Sequence, residues 1–302
     1  MALARPTRRA LVTSLAAALT GAAVPGRAWA AQQPAAGSGA TGRRGPAPLR
    51  RAHAHNDYEH PRPLLDALDH RFTSAEADIW LVDGQLLVGH DAEDLTPERT
   101  LEALYLAPLE QRIRANGGWV HRGHRQPFQL LVDLKNTGAQ TYRELDRQLR
   151  RHRHMMTRAA GDRVRTGAVT AVVSGDRAAR APMEAQHLRY AFYDGRLDDL
   201  GTPAPASFIP LVSTNWTLSF AWTGVGPMPA AEREKLHGIV ARAHAERRRV
   251  RFWATPDTPG PARDAVWSEL LAAGVDHINT DDLAGLESFL DRHDRPGAPW
   301  AR

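Results

Sequence analysis

The chain has 302 residues, 42% hydrophobic and 24% charged, with a formal net charge of +5 and no cysteine. That composition excludes a disulfide-held scaffold and an intrinsically disordered chain, and it supplies apolar mass for one large core. Basicity does not argue for nucleic acid, because four arginines and no acid fall within residues 1–30, and without them the net charge drops to +1.

Residues 1–30 have the layout of an export signal. Arg5, Arg8 and Arg9 give a positive start, Ala10–Ala23 is a short run of small and apolar residues, and Ala28-Trp29-Ala30 is an A-x-A cleavage pattern. Thr7-Arg8-Arg9 resembles the start of a twin-arginine signal. The run is shorter than the roughly 20 apolar residues that a spanning helix needs. The expected location is secreted, extracellular or periplasmic, with no transmembrane segment in the mature chain. Residues 31–49, rich in Ala, Gly and Pro without periodicity, read as a flexible linker. A single folded domain is expected over 50–293, with a tail at 294–302.

Apolar, β-prone runs then alternate with helical patterns. The expected strands are Arg51–His55, Ser74–Val82, Phe128–Lys135, Ala168–Ser174, Leu188–Tyr193, Phe208–Ser213, Val250–Thr255 and His277–Thr280. Helices are expected at Pro63–His70, Thr100–Ala115, Gln140–Arg158, Ala230–Arg248, Ala262–Ala273 and Leu283–Arg292. After Asp83-Gly84, Gln85–His90 reads as an extra hairpin strand. Eight strands with interleaved helices predict an α/β fold, a single (β/α)8 TIM barrel. Active sites of such barrels lie at the C-terminal strand ends.

The charged residues at those ends carry the chemistry. Glu76 and Asp78 sit two apart in an apolar strand, so they face the same side, and burying them uncompensated is expensive. Asp133 closes another apolar run. Three carboxylates aimed at one point suit a hard divalent cation. Lys135 faces the same way as Asp133, and in a chain where only it and Lys235 are lysines, it fits a phosphate oxygen. His55 and His90 precede polar turns beside the acids and offer a proton acceptor and a proton donor. His53 competes with His55, which lies nearer the rim. His121-Arg122-Gly123 falls in a polar loop downstream of the acids and is given no role. Trp216 and Trp253 fit either a pocket wall or packing. A His53-x-His55 start also opens metal-dependent amidohydrolase sites, and a non-catalytic barrel binding a head group or polymer remains a third reading.

The order of these motifs resembles the glycerophosphodiester phosphodiesterase / phosphatidylinositol-specific phospholipase C-like superfamily. HAHNDYEHPRPLLDAL, EADIWLVDGQLLVGHD, TLEALYLAPL and RFWATPD are similar to its altered-inheritance-of-mitochondria protein 6 branch. The resemblance implies a TIM barrel that cleaves phosphodiesters with magnesium or calcium held by Glu76 and Asp78, and with His55 and His90 as acid–base residues. Asp133-Leu134-Lys135 resembles the Asp-Leu-Lys of sphingomyelinase D enzymes, which implies a ligand at Asp133 and a site lysine at Lys135. The implied partner is a small-molecule or lipid phosphodiester, and no nucleic acid. The chain departs from the branch that opens with His-Arg-Gly, having His55-Asn56-Asp57-Tyr58 instead.

Overall fold

In the computed structural model, residues 44–294 are described; the expected signal at 1–30, most of the linker and the tail from 295 lie outside the described residues. Eight parallel strands form the barrel: β1 (Leu49–Ala54), β2 (Phe72–Val82), β3 (Phe128–Leu134), β4 (Val169–Gly175), β5 (Ala191–Gly195), β6 (Leu211–Asn215), β7 (Arg249–Trp253) and β8 (His277–Thr280). Each pairs with its chain neighbour, and β1 pairs with both β2 and β8, which closes the ring. The helices α1 (Leu65–Asp69), α2 (Ala107–Ala115), α3 (Gly138–Arg151), α4 (Arg180–Glu184), α5 (Trp216–Ser219), α6 (Ala230–Ala245), α7 (Pro261–Ala273) and α8 (Leu283–His293) intervene. Among the described residues no helix is long and apolar enough to cross a membrane.

Local chemistry sets these boundaries. Pro261 occupies the first turn of α7, where a missing N–H costs nothing, and Gly274 ends the helix at φ 81°, a left-handed conformation that glycine adopts freely. Asp282 caps α8 by accepting the Gly285 N–H. The outward faces of the strands pack under the helices; Phe252, for instance, meets Trp216 and Phe220 edge-on. Trp216 is therefore core packing and not a pocket wall.

Four expectations need correction. The helix expected over Gln140–Arg158 ends at Arg151, and Arg158–Ala160 instead pairs antiparallel with Arg163–Arg165 and Leu188–Arg189 in a small second sheet. The strand expected at Leu188–Tyr193 is thereby split between the two sheets. The strand expected from Phe208 begins at Leu211, because Pro210 has no N–H to give a ladder. Leu49 already belongs to β1, so the barrel begins inside the expected linker.

The lumen has two halves. Leu131, Val172, Phe192 and Leu211 form an apolar cluster separate from the main core, closed below by Ala159 of the small sheet. The remaining inward positions are polar and buried: His53, Ser74, Glu76, Asp78, Gln129, Ser174, Asp194, Ser213, Arg251, His277 and Asn279. Buried polar groups in such number require partners or ligands. That requirement points from packing to function.

Candidate metal and acid–base centre

Asp78 and Asp133 are direct partners in the β2–β3 register, and Glu76 lies two residues earlier on the same face of β2. One ligand oxygen from each of Glu76, Asp78 and Asp133 falls within 4.8 Å of the others. The structure thus brings together the three acids that the sequence singles out.

Their charges are held by different neighbours. Burial alone would raise Glu76, but Arg251 Nη2 at 3.3 Å and His53 Nε2 at 3.4 Å hold it well below the usual carboxylate range. Burial and the charge of Glu76 push Asp78 up, against the pull of Lys135 and the Tyr58 hydroxyl. Burial and the charge of Asp78 push Asp133 up to about 6. Lys135 Nζ lies 2.7 Å from Asp78 Oδ2 and 3.6 Å from Asp133 Oδ1. Three carboxylates thus face two permanent cations, Lys135 and Arg251. An uncompensated buried charge costs several kcal/mol.

One atom shows where compensation is missing. Asp78 Oδ2 receives the Tyr58 hydroxyl at 2.7 Å, Lys135 and His90 Nδ1 at 3.1 Å, whereas its buried Oδ1 has no partner. An all-oxygen donor set with an orphaned carboxylate oxygen fits a hard divalent cation better than zinc. The residues present fit such an ion.

Both expected acid–base histidines reach this centre, with one nitrogen fixed. His55 Nδ1 lies 2.8 Å from Asp281 Oδ1, so Nδ1 carries the proton and Nε2 is left over. Burial lowers the His55 pKa, but the Asp281 hydrogen bond and the charge of Glu76 outweigh it, and the net shift is upward. His90 Nδ1 lies 3.1 Å from both the Tyr58 oxygen and Asp78 Oδ2, so its N–H is shared between two acceptors. The rival His53 is fully buried, engages Ser74 Oγ at 2.7 Å and Glu76, and is pulled by burial and Arg251 to about 4. It supports Glu76 from below and has no access to the mouth. His121 donates its Nε2–H to the Phe72 carbonyl, at the start of β2, on the opposite end of the barrel.

Several contributors escaped sequence reasoning. The His55-Asn56-Asp57-Tyr58 turn works as a unit. Asn56 takes φ 45° and its side chain accepts the Tyr58 hydroxyl at 2.8 Å. Buried Asp57, pushed by burial to about 7, receives the Leu64 N–H and the Tyr105 hydroxyl and anchors the turn. Tyr58 then reaches Asp78 and His90. Arg251 comes from β7, and its alternation in Arg249-Val250-Arg251 was the available signal. Asp257 accepts the Asp281 N–H at 2.7 Å and the Thr280 hydroxyl, which places the carboxylate that holds His55.

A closed β/α barrel with an acidic ion cradle and two oriented imidazoles at its mouth is the build of a phosphodiester-cleaving barrel, and comparison with known proteins agrees. Residues 46–194 match the family model described as AIM6-like phosphodiesterase domain, and residues 249–284 match that of the glycerophosphoryl diester phosphodiesterase family. The chain belongs to this family of phosphoric diester hydrolases, in its AIM6-like branch. It is similar to altered inheritance of mitochondria protein 6 of Eremothecium gossypii, 28% identical over 273 residues, spanning 80% of this chain and 69% of the relative. The homolog from Arthroderma benhamiae is 27% identical over 262 residues, spanning 79% and 83%. That of Saccharomyces cerevisiae strain YJM789 is 26% identical over 280 residues, spanning 79% and 70%. The first matched segment contains His55, Glu76, Asp78, His90, Asp133 and Lys135; the second contains Arg251, Asp257 and Asp281.

Proposed function

We propose that this domain cleaves glycerophosphodiester- or phospholipid-like phosphodiesters using magnesium or calcium held by Glu76, Asp78 and Asp133. The observation that carries the reading is the carboxylate cluster with its unpartnered Asp78 Oδ1, flanked by two imidazoles whose Nδ1 positions are fixed. When bound, the cation neutralises the phosphate and holds it for in-line attack. Lys135 supplies a point charge to a phosphate oxygen. His55, with Nδ1–H committed to Asp281, has Nε2 available to take a proton from the attacking hydroxyl. His90 delivers a proton from Nε2 to the leaving oxygen, and the Asp78–Tyr58 pair fixes its orientation. The Ala28-Trp29-Ala30 pattern supports export; a mature N-terminus at Ala31 checks that part.

The direct test is hydrolysis of bis-p-nitrophenyl phosphate and of lysophospholipids with added magnesium or calcium. Activity is expected with either ion and is abolished by chelator. Inertness across a broad diester panel sinks the catalytic reading in favour of a head-group-binding barrel, and tight zinc binding with amidase activity favours the amidohydrolase reading.

A pH dependence follows from Asp281. The Asp281 contact raises the His55 pKa, so a base at His55 becomes competent only as pH rises through that raised value. Asp281→Asn removes the charge and lowers the His55 pKa. The acid limb of kcat/KM is expected to move to lower pH while the plateau falls by less than loss of His55 causes. A limb that stays in place excludes His55 as the base.

A further inference from the structure

We propose that the mouth carries a second anion-binding subsite, built by Arg177 and Arg196, that takes a phosphate or carboxylate borne by the alcohol part of the substrate; the anion site stands on its own geometry, and only its link to substrate rests on the proposed reaction. Arg177 follows the end of β4 and Arg196 directly follows β5, so both stand at the C-terminal mouth. Their guanidiniums meet at one carbonyl. Arg177 Nη1 donates to the Asp194 carbonyl at 2.8 Å, and Arg196 Nη1 reaches the same oxygen at 3.4 Å. Arg196 Nη1 also donates to the Gly195 carbonyl at 3.0 Å and to Asp194 Oδ2 at 2.9 Å.

Two like charges brought together near a surface repel each other. Among the described residues, Asp194 is the one carboxylate that hydrogen-bonds either guanidinium. Asp194 Oδ2 is shared with the Ser174 hydroxyl at 2.8 Å, and its buried Oδ1 has no partner. The next acid, Asp199, is already occupied by Arg180 Nη1 at 2.8 Å and by the Arg196 backbone N–H at 2.8 Å. Arg180 is also paired with Glu184 through Nε at 2.8 Å, so three guanidiniums face three carboxylates here, and what the pair offers an anion is its vacant N–H edges.

Each arginine is tethered through Nη1 alone. Among the described residues, Nε and Nη2 of both have no protein acceptor, and Arg177 is exposed while Arg196 is half-buried. The Tyr193 ring, 4.3 Å beneath the Arg177 guanidinium, fixes its plane. Two oriented guanidiniums with vacant N–H edges are suited to a planar or tetrahedral oxyanion. A clip between the ends of β4 and β5 would need only one of them.

The location ties this pair to the acid centre. Ser174 is the register partner of Asp133 and hydrogen-bonds Asp194, so Arg177 follows the strand next to Asp133 and Arg196 the one beyond it, one and two strand spacings, roughly 5 and 10 Å, along the rim. A phosphodiester seated at the acids would point its alcohol moiety toward these arginines. Lys135 serves the scissile phosphate; Arg177 and Arg196 serve the second anion.

The test has two readouts on the full chain. Calorimetric titration of inorganic phosphate in the presence of chelator is expected to show binding that weakens at least tenfold in Arg177→Gln/Arg196→Gln. Arg196→Gln alone, which leaves Arg177 clipping the strand ends, gives an intermediate loss and guards against misfolding. The second readout compares p-nitrophenyl phosphodiesters of ethylene glycol, of glycolate and of 2-phosphoethanol. Wild type is expected to favour at least one anionic diester tenfold in kcat/KM, the better arm telling carboxylate from phosphate, and the ratio collapses toward one in the variants. Arginine-dependent phosphate binding without hydrolysis of any diester upholds the anion site and rejects the proposed reaction. Hydrolysis with no anion preference, or with preference and phosphate binding unchanged in both variants, overturns the subsite.

Discussion

Replacing His90 with alanine is expected to lower turnover by about two to four decades while leaving divalent-cation affinity intact. The expectation follows from how His90 is held. Its Nδ1–H is shared between Tyr58 and Asp78 Oδ2, so the ring orientation is set and the imidazolium form that the acid role requires has its Nε2–H left for the leaving oxygen, whereas the candidate ligand oxygen on Asp78 is Oδ1. Alanine deletes a proton carrier and spares the ion cradle. Single-turnover kinetics beside a calorimetric metal titration separates the two effects. Unchanged turnover of a substrate that wild type cleaves removes His90 from the mechanism, and a parallel loss of metal binding would make it part of the cradle.

Asp78→Asn is expected to go further and weaken the divalent ion by about two decades or more, close to 3 kcal/mol of binding free energy, with activity lost along with it. Asp78 is the hub of the centre: Tyr58, Lys135 and His90 all converge on Oδ2. Asparagine keeps the shape and removes the charge, so the two remaining carboxylates face Lys135 and Arg251 in balance and the demand for a dication disappears. Metal titration by calorimetry at fixed pH reads this directly. Retained affinity would place the ion elsewhere than on Glu76, Asp78 and Asp133.

Much of this centre could be read from the chain because parallel barrel strands are buried on both faces and written as nearly continuous apolar runs. An acid inside such a run, as at Glu76, Asp78 and Asp133, stands out by its cost. His55 and His90 were legible as the polar residues that end or follow those runs. What stayed hidden depends on closure. Arg251 and Asp281 meet Glu76 and His55 only because β8 returns to β1, and no local pattern announces a partner more than 170 positions away. Tyr58 carries no local signal, because only the left-handed turn at Asn56 brings its hydroxyl to Asp78. The helix overrun past Arg151 has a different cause. Helical periodicity continued into a segment that tertiary pairing with Leu188–Arg189 converts to strand, and such context outweighs weak local propensity.

His55 and Asp281 are separated by 226 positions, and their hydrogen bond spans the seam where the first strand receives the last. The three carboxylates sit on β2 and β3, early in the chain, whereas the residue that orients His55 directly follows β8. The contact that orients His55 exists only where β8 pairs with β1. Under the proposed mechanism, a polypeptide cut short before Asp281 is expected to show no turnover, because the partner that orients His55 is missing.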